Sequence, residues 1–174
     1  MKILYMMLGV LALVSGFRAQ AEPTATPTGA TLAAPKVPTA AEALAAWQDF
    51  RAEPLTRLDK TQPFLDFIRD SGQVHIVLNN SLLAWMYQPM DNTFKATIYA
   101  AFLGGNMAAQ LAAQQSADSD DVAGMASALD AYAAVRKAHP DLELPLFESL
   151  AKARREHRLA EAVKNIASDT KSPP

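Results

Sequence analysis

Three histidines, His75, His139 and His157, and the acidic run Asp118, Asp120 and Asp121 are the side chains best suited to acid–base or metal chemistry in this chain. No histidine belongs to an HExxH pattern, the spacing that puts two ligands and a base on one helical face. His139 precedes Pro140, where a partly charged imidazole complements a helix C-terminus, and His157 stands in the charged run RREHR. His75 lies between Val74 and Ile76 and reads either as the polar side of a strand or as a buried, hydrogen-bonded imidazole. With Asn79 and Asn80 it is the nucleus of an alternative reading, a ligand-binding or catalytic site inside a helical bundle; a structural component of the cell envelope is a further alternative. The acidic run lacks the sixth-position glycine and distal glutamate of an EF-hand loop, and helix capping accounts for it. There is no GxSxG elbow, and no glycine-rich loop follows a strand to cradle phosphate. We assign no catalytic, metal-binding or cofactor-binding residue and expect a non-enzymatic protein.

Two other stretches bear on contacts rather than reactions. In AWMYQPM, the side chains of Trp85, Met86, Tyr87 and Met90 cannot all face one core from one short helix, so at least one is expected near the surface. Exposed tryptophan, tyrosine and methionine commonly anchor protein interfaces, which makes Trp85, Tyr87 and Met90 candidate partner-binding residues, set against a role in core or loop packing. In TIYAAFLGGNMAAQL, the adjacent Gly104 and Gly105 cost a helix about 2 kcal/mol relative to alanine. They lie in a strip of small residues with Ala100, Ala101, Ala108 and Ala109 that lets another helix backbone approach closely. The alternatives are a ligand or partner chain against the bare backbone, or a kink.

The elements that position these residues read as helices. Thr39 to Glu42, TAAE, fits a capping box that opens a first helix, with Trp47 and Phe50 facing the core. A second helix is expected from near Thr61, tolerating Pro63 in its first turn and ending at Gly72, with Phe64, Leu65, Phe67 and Ile68 as its apolar stripe. Val74 to Leu78 is β-branched enough for a short strand, and a helix is expected from about Leu82 to Gln88, stopped by Pro89. Asp91 and Asn92 open a long helix to about Gln115. Ser119, Asp120 and Asp121 start another, carrying Val122, Met125, Leu129, Tyr132 and Val135 on one face and ending near Lys137, His139 and Pro140. A last helical region begins near Pro145, interrupted by the charged KARREHR. The expected fold is all-α, a compact bundle of five to seven helices, with one short strand at 74–78 left open.

The chain opens with Lys2, an apolar stretch from Ile3 to Phe17 and then Ala19, Gln20 and Ala21, the order of a secretory signal peptide cleaved after Ala21. The stretch is shorter than the roughly 20 residues a membrane-crossing helix needs, so no stable anchor is expected after cleavage. Residues 22–38, rich in proline and threonine, bury too little apolar surface to fold and read as a disordered leader or tether, and 169–174 as a disordered tail. The folded domain is expected at 39–168. Without a single cysteine, an exported chain has to cohere through its core. Loss of Lys2 and Arg18 leaves 14 basic and 18 acidic residues, a formal charge of −4 that provides no footprint for nucleic acid. The expected setting is periplasmic or secreted, the expected partner a protein, and homo-oligomerisation stays open.

Three stretches, NNSLLAWMYQ, IYAAFLGGNMAAQL and ALDAYAAVRKAHPDLELPLFESLAKA, resemble in order and spacing the small helical periplasmic immunity proteins that protect bacteria from type VI secreted peptidoglycan amidases. The resemblance runs from about Asn79 to Ala153 and rests on Leu82, Leu83 and Trp85, on Gly104 and Gly105, on His139 and Pro140, and on Pro145. It implies a helical fold, a periplasmic setting and an inhibitory role exerted by binding. The disulfide-forming cysteines general in that family are missing here, and the resemblance assigns no inhibitory contact to an individual residue.

Overall fold

A computed structural model describes residues 36–113 and 119–169. The signal peptide and nearly all of the leader and tail read from the sequence lie outside the described residues, as does Asp118. The described chain forms six α-helices and no strand, an all-α bundle. They are α1 (Ala40–Ala52), α2 (Gln62–Asp70), α3 (Asn92–Ala113), α4 (Asp121–Ala138), α5 (Pro145–Arg155) and α6 (Leu159–Ser168). Single 3-10 turns occur at Leu58–Lys60 and Ala84–Tyr87. No helix among the described residues is long and apolar enough to cross a membrane.

Local chemistry sets most boundaries. Thr39 caps α1 with the full reciprocal box: its hydroxyl accepts from the Glu42 amide, and its own amide donates to Glu42 Oε2 at 2.7 Å. Pro63 sits in the first turn of α2, where its missing N–H costs nothing, and Gly72 follows that helix at φ +65°, a left-handed conformation glycine adopts without strain. Asp91 accepts from the Thr93 amide ahead of α3, and Asp120 caps α4 by accepting from Ala123.

The expected helix over Leu82–Gln88 is not there. The chain turns after Asn79 and makes only the 3-10 turn Ala84–Tyr87, closed by Met86 N–H to Leu83 O and Gln88 N–H to Trp85 O. Leu82, Leu83 and Trp85 are all buried. Three residues per turn stack Leu82 and Trp85 on one inward line, and Pro89 leaves no length for an α-helix to propagate. The short strand at 74–78 is absent too, for a reason that belongs to the site described below.

Helix α3 lies at the centre and is buried on almost every side. Its Ile98, Phe102 and Leu103 join one apolar cluster with Leu82, Trp85, Met125, Tyr132, Phe147 and Val163. Its Ala100, Ala101 and Met107 join a second with Trp47, Phe50, Phe64, Phe67 and Val74. The paired glycines make this possible. A Cβ on Gly104 would lie 2.2 Å from the Trp47 ring, and one on Gly105 would lie 2.1 Å from Ser127 Oγ and 2.8 Å from the Ala123 carbonyl oxygen. On α4, Gly124 does the same for α3, with the Phe102 ring 2.8 Å from where its Cβ would lie.

The charged run KARREHR is a helix break. Helix α5 ends in a Schellman motif: Arg158 N–H reaches Ala153 O at 2.8 Å, His157 N–H reaches Arg154 O at 3.1 Å, and His157 takes the left-handed position at φ +58°. A non-glycine residue is strained there. His157→Gly is therefore expected to stabilise the domain by about 0.5–1 kcal/mol, seen as a rise in thermal midpoint; an unchanged or lower midpoint would contradict the strain.

One polar knot secures the turn between α4 and α5. Tyr132 accepts from the Leu144 amide at 3.0 Å and donates to Glu148 Oε1 at 2.6 Å, and Arg136 pairs with the same oxygen. The Tyr132 hydroxyl, helped by Arg136 and opposed by partial burial, holds the Glu148 carboxyl below the usual glutamate range. Its contribution is thus complete above the unfolded value of about 4.3 and is lost as pH falls through the lowered folded value. Melting curves should show Glu148→Gln less stable than the parent at neutral pH, with the gap closing in acid below about pH 4; a gap that persists would refute this.

Candidate interaction site

Residues 71–91 connect α2 to α3 with nothing more regular than one 3-10 turn. Connections longer than about 12–15 residues without secondary structure of their own are uncommon in compact domains and are usually functional. From Ser71 to Met90 there is no lysine, arginine, aspartate or glutamate, in a chain of which 20% is charged. Of the four large hydrophobic residues exposed among the described residues, three lie here: Val77 at 52%, Leu78 at 40% and Tyr87 at 70%.

The connection is held at two points, one on α3 and one on the last turn of α6. The buried Gln110 side chain on α3 pairs with both backbone groups of His75: His75 N–H donates to Oε1 at 2.9 Å, and Nε2 donates to His75 O at 2.9 Å. Gln110 Nε2 also donates to Asn106 Oδ1, which accepts from the Asp120 amide as well, while Asn106 Nδ2 donates to Ser119 Oγ. This buried network ties the connection to the start of α4 with its central amides satisfied, the condition under which buried polar groups are tolerated. At the second point, Asn79 Oδ1 accepts from the amides of Ser81 and Leu82 while its Nδ2 donates to Ala167 O, and Ser81 Oγ donates to Asp169 O.

The Gln110 contact explains the missing strand. Val74–Leu78 pairs with a side-chain amide in place of a neighbouring chain, so it stays extended without a ladder. The His75 imidazole is exposed and its backbone carries the bonding, Asn80 is exposed, and the Asn79 amide is turned to the end of α6. These three side chains do not converge on a pocket. A cavity of about 540 Å³ lies between α3, α4 and α6, lined by Ala109, Gln110, Ser119, Asp121, Val163 and Lys164 among others. Gln110 and Ser119 direct their polar atoms to protein partners. No group of three or more His, Asp or Glu side chains suited to a metal ion occurs among the described residues.

The candidate partner contacts separate. Trp85 is 2% exposed, edge-on to Phe147 at 5.5 Å, with an indole N–H that finds no acceptor among the described residues. It is a core residue, not a surface anchor, because the 3-10 turn aligns it with the buried Leu82. Tyr87, two residues on, points outward, and Met90 is half-buried against the first cluster. Gly104 and Gly105 are covered by Trp47 and Ser127, so the small-residue strip is spent inside the domain. His139 caps α4 and packs at a tilt against Phe94 with ring centroids 4.5 Å apart.

Sequence reasoning missed Val77, Leu78, Asn106 and Gln110. A signal for each existed: a charge-free run for the first two, and for the others two amides four residues apart on an otherwise apolar helix. No known protein family matches the chain, and no curated protein or solved structure is significantly similar to it.

Proposed function

We propose that this chain is an exported, periplasmic, non-enzymatic protein that works by binding another protein through the connection 71–91. The observation carrying this reading is the exposure of Val77, Leu78 and Tyr87 on an uncharged segment that buried hydrogen bonds hold in place. A surface already fixed in shape loses little entropy on binding, and an exposed tyrosine offers apolar area with a polar tip. The resemblance to immunity proteins supplies the narrower form of the proposal, in which the partner is a secreted cell-wall amidase that the chain inhibits.

The test is capture from envelope extract with the parent protein and with Tyr87→Ala as bait, followed by binding measurements on whatever is recovered. A specific partner should bind the parent and lose about 30-fold or more in affinity to Tyr87→Ala, the scale of an interface hot spot. Recovery of no specific partner, or equal binding by both baits, would overturn the proposal. In the narrower form, adding the chain should also suppress the partner's amidase activity.

A further inference from the structure

We propose that Val74–Leu78 is a free strand edge that pairs antiparallel with the same segment of a second copy of this chain, about a two-fold axis through Ile76. A residue turns its N–H and C=O to the same side only where its backbone is extended, and His75 presents both to Gln110. Gln110 therefore occupies one edge as a neighbouring strand would. In an extended chain the groups of alternate residues point the other way, so those of Val74, Ile76 and Leu78 face away from Gln110 and α3. No hydrogen bond among the described residues engages the backbone of any of these three.

Natural edges are guarded by lysine, proline, inward charges or bulges. This one carries none: the segment has no formal charge and no proline, so two copies meet without like-charge opposition. One register engages all three outward residues of each copy, with Ile76 against Ile76, Val74 against Leu78, and His75 beside Val77 as the non-hydrogen-bonded pair. A slip of one residue would aim the pairing groups of one copy back at its own Gln110. The exposed Val77 and Leu78 of both copies then flank the axis. A five-residue pairing buries less than the roughly 1,200 Å² of a stable interface, so the dimer is weak and concentration-dependent. The dimer is read by cross-linking and mass through the backbone of 74–78, whereas the proposed function is read by the loss of partner binding in Tyr87→Ala, so failure of one test is distinguishable from failure of the other.

The absence of cysteine makes the test clean. The variants His75→Cys and Val77→Cys are mixed in equal amounts and oxidised. In the stated register their Cα atoms approach to about 4.5 Å, within disulfide reach, while self-linked pairs lie out of register. The cross-linked heterodimer should exceed each self-linked product by several-fold more than the twofold that random collision gives. In sedimentation, the mean mass of the parent and of Tyr87→Ala should rise with concentration toward that of a dimer, and that of Ile76→Pro, which lacks the central N–H, should not. A random cross-linking ratio, or a parent chain that stays monomeric throughout, would overturn the inference.

Discussion

Replacing Gly105 with alanine lowers the unfolding free energy by about 2–3 kcal/mol, although alanine is the better helix former by about 1 kcal/mol. The added Cβ meets Ser127 Oγ at 2.1 Å and the Ala123 carbonyl at 2.8 Å. The Ser127 hydroxyl can rotate away, but its Cβ, at 2.5 Å, and the helical carbonyl cannot, and α3 must back off from α4 along their shared length. Ser127→Gly in the same chain should recover only part of the loss. The Gly104→Ala variant behaves differently, because the three atoms nearest its Cβ all belong to the Trp47 ring, which is packed edge-on to Phe64 at 5.8 Å. Its cost passes into the aromatic cluster, and trimming Trp47 to leucine should remove most of the penalty specific to alanine. Denaturant titration of these variants decides the matter. A neutral or stabilising Gly105→Ala would mean the helices do not approach as closely as described.

The second large effect belongs to Gln110. Gln110→Leu deletes two hydrogen bonds to the His75 backbone and one to Asn106, and about 2–4 kcal/mol should follow at roughly 1 kcal/mol per net bond, with a further penalty for groups left unmet. Amide hydrogen exchange should locate the damage, with the His75 amide losing protection first and α5 and α6 least affected. Gln110→Glu keeps the acceptor for His75 N–H but loses the donor and, at neutral pH, buries a charge, so it should be the worse variant there. In acid the protonated carboxyl regains an O–H donor, so Gln110→Glu should recover past Gln110→Leu toward the parent. A Gln110→Glu protein as stable as the parent at pH 7 would show that the amide is not buried as described.

These two side-chain environments also show what could be read in advance. The capping box at Thr39, the proline in the first turn of α2, the cap at Asp120 and the turn at Gly72 all depend on neighbours within four residues, and all four are where local chemistry puts them. The glycine pair was legible as a close approach, although nothing local names Trp47 and Ser127 as the occupants. What escaped is long-range. Gln110 bonds a residue 35 positions away, and Asn106 one 13 positions away, so neither role follows from spacing. The stretch 82–88 has a helix's composition and caps. Its need to bury Leu82, Leu83 and Trp85 together, which only the tertiary structure imposes, selects the tighter turn.

The burial of both indoles gives the molecule an optical signature. Both tryptophans are shielded from water, Trp47 in one apolar cluster and Trp85 in the other, and each is the only one of its kind there. Emission from the native protein should therefore be blue-shifted and should move to longer wavelength on unfolding. A chain keeping only one fluorophore would report the melting of one half of the interior, so that a pair of single-tryptophan proteins reveals whether the two halves come apart together or in sequence.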